Sequence, residues 1–169
     1  MKHMLSVLVE NHAGVLSKVS GLFSRRSFNI DSLAVGVTEN LSVSRITIVV
    51  DGDENVIEQV EKQLNKLIDV IKVKTLQPGE FISRELILFK VHANSGNRSE
   101  IIEIADIFGA KIIDVSRTTL TLEFADTGDR ISSLESMLSP YGITEAVRTG
   151  TIALEKGSKL IAPTKASED

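Results

Sequence analysis

The chain contains no cysteine and no tryptophan, and aromatic residues make up only 4% of its 169 residues. Without cysteine, disulfides, iron–sulfur clusters, thiolate zinc sites and cysteine nucleophiles are excluded. The net charge of −4 lacks the basic excess that is typical of nucleic-acid-binding proteins. Apolar runs fall short of the roughly 18 residues of a membrane span, and no signal-peptide pattern precedes the first strand. We therefore expect a cytoplasmic protein that binds neither nucleic acid nor membrane.

Motifs for catalysis are also missing. The sequence lacks a nucleophile elbow, a dinucleotide-binding glycine fingerprint and a phosphate loop with its lysine. The three histidines, His3, His12 and His92, do not share the spacing of metal ligands. We predict that the chain has no catalytic residues and no metal site.

The hydrophobic pattern of the first half predicts the element order βαββαβ. Residues 3–9 are apolar on both faces, which is typical of an interior strand. Residues 70–76 alternate apolar residues with lysine, as an edge strand does. Asp53 is expected to cap the second helix. The predicted elements are strand 3–9, helix 13–26, strands 29–38 and 42–51, a helix after Asp53, and strand 70–76.

The pattern of the first helix also predicts which of its side chains are buried. Its apolar residues recur at helical spacing, and the helix ends in a pair of arginines that suits the negative end of a helix dipole. The residues expected to form its buried stripe are Leu16, Val19, Leu22 and Phe23.

The same order of elements recurs between residues 84 and 149, after turn residues at positions 77–80. The fold class is thus predicted to be α+β, with two ferredoxin-like βαββαβ domains. The predicted boundaries are a first domain at 1–77, a linker at 78–83, a second domain at 84–156 and a loosely ordered tail at 157–169.

RNA-recognition domains share this topology, but they stack bases on aromatic residues of the third strand. Residues 43–50, the corresponding strand here, contain no aromatic residue. Metal-carrying proteins with this topology use paired cysteines, which the chain lacks. Both of these alternatives are therefore disfavoured.

The most informative stretch is the turn between the first strand and the first helix. Asn11 and Gly14 lie where free backbone N–H groups and the positive end of a helix dipole form a natural seat for a carboxylate. Asn29 opens the next strand, and the two amides would bind a zwitterion without adding net charge. For Asn11 taken alone, a role as a cap or turn residue is the more common use.

Six segments together resemble the small regulatory subunit of acetolactate synthase, whose N-terminal part is an ACT domain. The resemblance covers about residues 2–155. A glycine turn alone would be a weak signal, whereas the ordered series is specific. The segments are ENHAGVLSKV at 10–19, FNIDSL at 28–33, SRITI at 44–48, EQVEKQLNKLIDV at 58–70, ELILFKV at 85–91 and IIDV at 112–115.

This resemblance implies a partner and an effector. ACT domains pair side by side, so a homodimer with small-molecule sites at the seam is expected. In this family the effector is a branched-chain amino acid, typically valine. The small subunit binds the catalytic subunit, raises its activity and confers feedback inhibition. Thiamine diphosphate, FAD and magnesium would then belong to the catalytic partner, and this chain would hold no cofactor.

The resemblance also implies which residues contact the effector. Asn11, Gly14 and Asn29 match the effector-contacting positions of the family motif. Val15, Leu16 and Ile30 would line an apolar pocket, although an ordinary place in the core explains them equally well. The strand that Asn29 opens is normally an outer one in this topology. We therefore expect Asn29 to reach the site from a neighbouring subunit.

Two other functions remain as alternatives. A free-standing amino-acid sensor with ACT-like domains would regulate another enzyme or transcription, although the chain lacks a basic patch and a helix-turn-helix pattern. A small enzyme on a ferredoxin-like fold would need a coherent catalytic set, which the sequence does not contain.

Overall fold

The computed structural model describes residues 1–161. The chain divides into two compact units: a first unit of residues 1–82 together with residues 151–161, and a second unit of residues 83–150. Each unit contains a βαββαβ arrangement, so the predicted α+β class with two ferredoxin-like domains is confirmed. The units differ from the predicted boundaries at the C-terminus, because residues 151–156 group with the first unit. Of the predicted tail, residues 162–169 lie outside the described residues.

The first unit is a four-stranded antiparallel sheet with two helices, in the strand order β2-β3-β1-β4. The interior position of β1 and the outer position of β4 confirm the predictions from the strand patterns, and the outer position of β2 confirms the expectation from the topology. The elements are β1 (Lys2–Glu10), α1 (Val15–Arg26), β2 (Asn29–Val37), β3 (Val43–Asp51), α2 (Glu54–Asn65) and β4 (Val70–Leu76).

One face of this sheet packs on the two helices. Alternate residues of β1 and β3 face the helices because successive strand side chains point to opposite faces. Burial of Val19, Leu22 and Phe23 confirms the predicted α1 stripe. Its first position is corrected, since Val15 is buried and Leu16 is 45% exposed. The predicted cap is confirmed, because the Asp53 carboxylate accepts the Val56 N–H at 2.9 Å. The buried residues of this core are Leu5, Val7, Val9, Val15, Val19, Leu22, Phe23, Ile46, Ile48, Val50, Ile57, Val60 and Leu64.

The other face of the first sheet is covered by an extended segment that the sequence patterns did not predict. This segment contains strand β9 (Ile152–Glu155). The Thr151 N–H donates to the Ser32 Oγ at 2.8 Å, and Lys74 pairs with Glu155 at 2.6 Å. The segment thus contacts both outer strands, β2 and β4. Buried residues of this face are Ser6, Leu8, Thr47, Val49 and Leu76.

The second unit repeats the topology, with strand order β6-β7-β5-β8. Its core lies between this sheet and two helices. Strand β5 begins within the predicted linker. Among residues 1–161, no helix combines the length and apolar character needed to cross a membrane. The elements are β5 (Phe81–His92), α3 (Arg98–Phe108), β6 (Lys111–Val115), β7 (Thr119–Asp126), α4 (Gly128–Leu138), a 3₁₀ turn (Ser139–Tyr141) and β8 (Ile143–Arg148).

Candidate ligand-binding site

The loop between β1 and α1, residues 10–14, ends in a glycine with an unusual backbone. Gly14 has a φ of +88°, a conformation that L side chains rarely adopt. Its carbonyl accepts the Lys18 N–H at 3.1 Å and so begins the helix. Apart from its two chain neighbours, a Cβ placed on Gly14 would meet no atom of residues 1–161 within 4 Å. Glycine is therefore required here by the backbone turn, and the space in front of it is open.

The start of α1 is left available to a ligand. Among residues 1–161, no side chain caps the first N–H groups of this helix, and its first turn contains no acidic residue. Gly14 and Leu16 are exposed at this point. Unpaired N–H groups and the positive end of the helix dipole favour an anion. The geometry suits a carboxylate group.

Asn11 is held in place by the turn between β2 and β3. Its Nδ2 donates to the Leu41 carbonyl at 2.8 Å, and its backbone N–H donates to the Ser42 carbonyl at 2.9 Å. Within residues 1–161, the Asn11 Oδ1 accepts no hydrogen bond. The side chain therefore offers an acceptor, which suits an ammonium group better than a carboxylate.

Asn29 lies at the opposite end of the sheet. The register pairs Asn29 with Asp51, and Asp51 in turn with Lys2. Asn11 follows Glu10, which pairs with Val43 at the other end of β3. A nine-residue strand spans roughly 27 Å. One chain therefore does not bring Asn29 to the loop that contains Asn11 and Gly14.

The predicted apolar residues lie in three different environments. Val15 is 4% exposed and belongs to the core of the first unit. Ile30 is partly buried against the same core. Leu16 is exposed on the first turn of α1, beside the open helix start. Leu16 is thus the residue of the three that is free to contact a ligand at this position.

A charged cluster beside the loop escaped sequence reasoning. The His12 Nε2 lies 2.8 Å from the Asp69 Oδ1, and the Lys18 Nζ donates to the Asp69 Oδ2 at 2.7 Å. The hydrogen bond from Lys18 lowers the pKa of Asp69, against the opposing effect of its burial. The Ala13 carbonyl and Asp69 raise the pKa of His12 above its usual 6.5. In the sequence, this cluster is indicated only by the position of Asp69, a single acidic residue in the otherwise apolar stretch 67–70.

Comparison with known families assigns a class to the first unit. A sequence model of the family described as "AHAS small subunit-like ACT domain" matches residues 5–72. Together with the strand order β2-β3-β1-β4, this match defines the first unit as an ACT domain. The predicted ACT domain is thereby confirmed. A second model, "Small subunit of acetolactate synthase", matches residues 84–157.

Relatives of the whole chain carry the same description. A probable acetolactate synthase small subunit from Archaeoglobus fulgidus is 50% identical over 94% of this chain and 99% of its own. The small subunit from Mycolicibacterium smegmatis is 48% identical over 96% of both chains. The crystal structure of the small subunit from Thermotoga maritima superposes with a TM-score of 0.87 at 38% identity, covering 94% of this chain and 99% of that one. The chain belongs to the acetolactate synthase small subunit family, which confirms the resemblance seen in its sequence.

Proposed function

We propose that this chain is a non-catalytic regulatory subunit that binds the catalytic subunit of acetolactate synthase in the cytoplasm. In this proposal it raises the activity of that subunit and makes it sensitive to inhibition by valine. Thiamine diphosphate, FAD and magnesium belong to the catalytic partner. Membership of the family across both units, at 48–50% identity to the relatives above, supports the proposal.

The observation that carries the effector proposal is the open start of α1. The carboxylate of valine accepts hydrogen bonds from the free N–H groups after Gly14. Its ammonium group donates to the Asn11 Oδ1, which the Leu41 contact leaves available. Leu16, exposed beside the same helix start, offers apolar surface to the branched side chain.

The position of Asn29 supports a site shared between two chains. Strand β2 is an edge strand, and Val35 and Val37 on it are 46% and 60% exposed. Such an edge is a template for pairing with another chain. A two-fold axis beside β2 pairs the two copies antiparallel, so the start of one strand meets the end of the other. Asn29 of the partner subunit then reaches the end at Val37, where Asn11 and Gly14 lie.

A shared site explains how binding would be transmitted. A ligand shifts an equilibrium only if it binds one arrangement better than another. A valine that contacts both chains favours the arrangement in which Asn11 of one chain and Asn29 of the partner subunit are correctly spaced. The catalytic subunit then responds to that arrangement.

Reconstitution tests the regulatory role. The purified chain is added to the catalytic subunit, and acetolactate formation is measured with and without valine. We expect a higher rate with the chain, and inhibition by valine that depends on the chain. If the chain neither activates the catalytic subunit nor confers valine sensitivity, the proposal fails, and a separate amino-acid sensor becomes the better explanation.

Mixing two variants tests the shared site. Asn11→Ala and Asn29→Ala are each expected to weaken valine binding. Combined in equal amounts and allowed to exchange subunits, they regenerate about a quarter of the sites, because about half of the dimers are mixed and one of the two sites in each mixed dimer receives both wild-type asparagines. Calorimetry detects this recovery of tight sites. If both variants weaken binding and mixing restores none of it, the two asparagines do not meet across a dimer seam.

A further inference from the structure

Asp69 is a nearly buried carboxylate that the proposed effector contacts do not use. It is 8% exposed and lies in the connection between α2 and β4. Its two carboxylate oxygens contact the His12 ring and the Lys18 ammonium at 2.8 and 2.7 Å. Its backbone carbonyl accepts the Glu10 N–H at 2.9 Å. Asp69 thus contacts three residues of the segment 10–18, namely Glu10, His12 and Lys18.

These three residues lie on both sides of Gly14 in the chain, and so flank the open start of α1. Glu10 is the last residue of β1, and His12 lies between Asn11 and Gly14. Lys18 is in the first helical turns of α1, and its N–H donates to the Gly14 carbonyl. Movement of Asp69 would therefore break the contacts that the loop makes before Gly14, through Glu10 and His12, and the contact made after it, through Lys18. The loop would then lose the geometry that presents Asn11 and the N–H groups of α1 together.

We propose that Asp69 is a positioning residue that holds the β1–α1 loop in its effector-binding form through His12 and Lys18. This inference rests on the proposed binding of valine at the start of α1. Asp69 is not among the proposed contacts to the ligand and acts through His12 and Lys18. It is a determinant of affinity that the sequence motif of the loop does not include.

The protonation of His12 makes this hold depend on pH. The ring faces the Asp69 carboxylate through Nε2 and the Ala13 carbonyl through Nδ1, at 2.8 and 3.1 Å, with Lys18 as the neighbouring cation. Only the imidazolium has N–H donors on both nitrogens. Deprotonation removes one of the two bonds and weakens the attraction to Asp69. The raised pKa of His12 is consistent with this pairing.

The decisive experiment compares valine binding by the wild-type chain and Asp69→Asn by calorimetry across about pH 5.5 to 8, a range that spans the ordinary histidine pKa. We expect wild-type affinity to fall as the pH rises through the His12 pKa. Asp69→Asn is expected to bind about tenfold more weakly at the acid end, with a flat pH profile. The matched control is Asp126→Asn in the second unit, where the carboxylate accepts the Thr127 N–H and pairs with Arg130. This control should keep the wild-type profile.

A second variant keeps the test informative if Asp69→Asn does not fold. His12→Gln alters an exposed side chain and leaves the ion pair between Lys18 and Asp69 intact. It should fold and bind valine with a flat pH profile. If wild type binds valine while each variant that folds retains the wild-type affinity and pH slope, the inference is overturned and the proposed effector site stands. If wild type does not bind valine at any of these pH values, the effector site fails, and this inference fails with it.

Discussion

The two units have the same topology, but the loops that open their first helices are built in opposite ways. In the first unit, residues 10–14 lead into α1 through the positive φ of Gly14. The loop is tied to its surroundings by Asn11 and His12, which reach away to Leu41 and Asp69. Within residues 1–161, both α1 and α3 begin without a side-chain cap, so the two loops differ in what holds them and in the charge of the first helical turn.

In the second unit, residues 94–97 close on themselves. The Asn94 Oδ1 accepts the N–H groups of Gly96 and Asn97 at 2.8 and 3.0 Å. The Asn97 Oδ1 accepts the Asn94 N–H at 2.8 Å. Arg98, at the start of α3, donates from its side chain to the carbonyl of Ser116.

This difference shows why a repeated fold is not a repeated site. The first turn of α3 contains Glu100, which already complements the helix dipole. The first turn of α1 contains no acid. A carboxylate ligand is therefore favoured at one helix start and opposed at the other. Substitutions in the two loops should have separable effects on binding and on stability.

The largest expected effect is that of Gly14→Asp. The side chain is strained at a φ of +88°, and its charge occupies the place of the ligand carboxylate. We expect valine affinity to fall about 100-fold, or roughly 2.7 kcal/mol. Calorimetry measures this loss. Gly109→Asp, at a φ of +78° after α3, imposes similar strain in the second unit and should leave the affinity unchanged. Equal losses in the two variants would indicate that backbone strain, not the site, controls binding.

Asn94→Ala tests whether the second loop has a purely structural role. It leaves two backbone N–H groups without their acceptor, so the free energy of unfolding should fall by about 1–2 kcal/mol. Urea denaturation measures the change. Valine affinity should stay at the wild-type value. A variant of unchanged stability that binds valine poorly would reverse the distinction between the loops.

Asn11→Ala is the corresponding change in the first loop. It removes the acceptor proposed for the ammonium group and the bond to Leu41. Valine affinity should drop about tenfold, roughly 1.4 kcal/mol. The loss of stability should be smaller than in Asn94→Ala, because the Asn11 side chain makes one hydrogen bond whereas the Asn94 Oδ1 accepts two. Asn97→Ala, which removes a loop acceptor in the second unit, provides the control for affinity. Full affinity in Asn11→Ala would remove this residue from the site.

The smallest effect is a dependence of stability on pH that belongs to the first loop. The pKa of His12 is raised in the folded chain by the Ala13 carbonyl and Asp69. Its contribution to stability is thus fully present below about pH 6.5 and is lost as the pH rises through the higher folded pKa. NMR titration of the His12 ring should give a pKa above 6.5 that returns towards this value in Asp69→Asn. The corresponding loop of the second unit, residues 94–97, contains no titratable side chain and should therefore contribute no such pH dependence. A folded pKa of 6.5 or lower for His12 would contradict the ion pair.

Much of this architecture follows from local chemistry. The apolar faces of residues 3–9 predicted an interior strand, and β1 is central in its sheet. Asp53 was predicted as a cap because a short acceptor before a helix satisfies a free N–H, and it does so. The turn with Gly14 was predicted to open into a helix. These features depend on neighbouring residues, so the sequence alone was sufficient.

Tertiary structure decided what depends on distant residues. Whether Val15 or Leu16 is buried depends on the rotation of α1 against the sheet, and one step along a helix turns a side chain by about 100°. The strand register places Asn29 far from Asn11, although both belong to one motif. Asp69 meets His12 across 57 positions of sequence, where no local periodicity relates them. The sequence by itself determined which residues could form an effector site, and only the fold decided which of them one chain brings together.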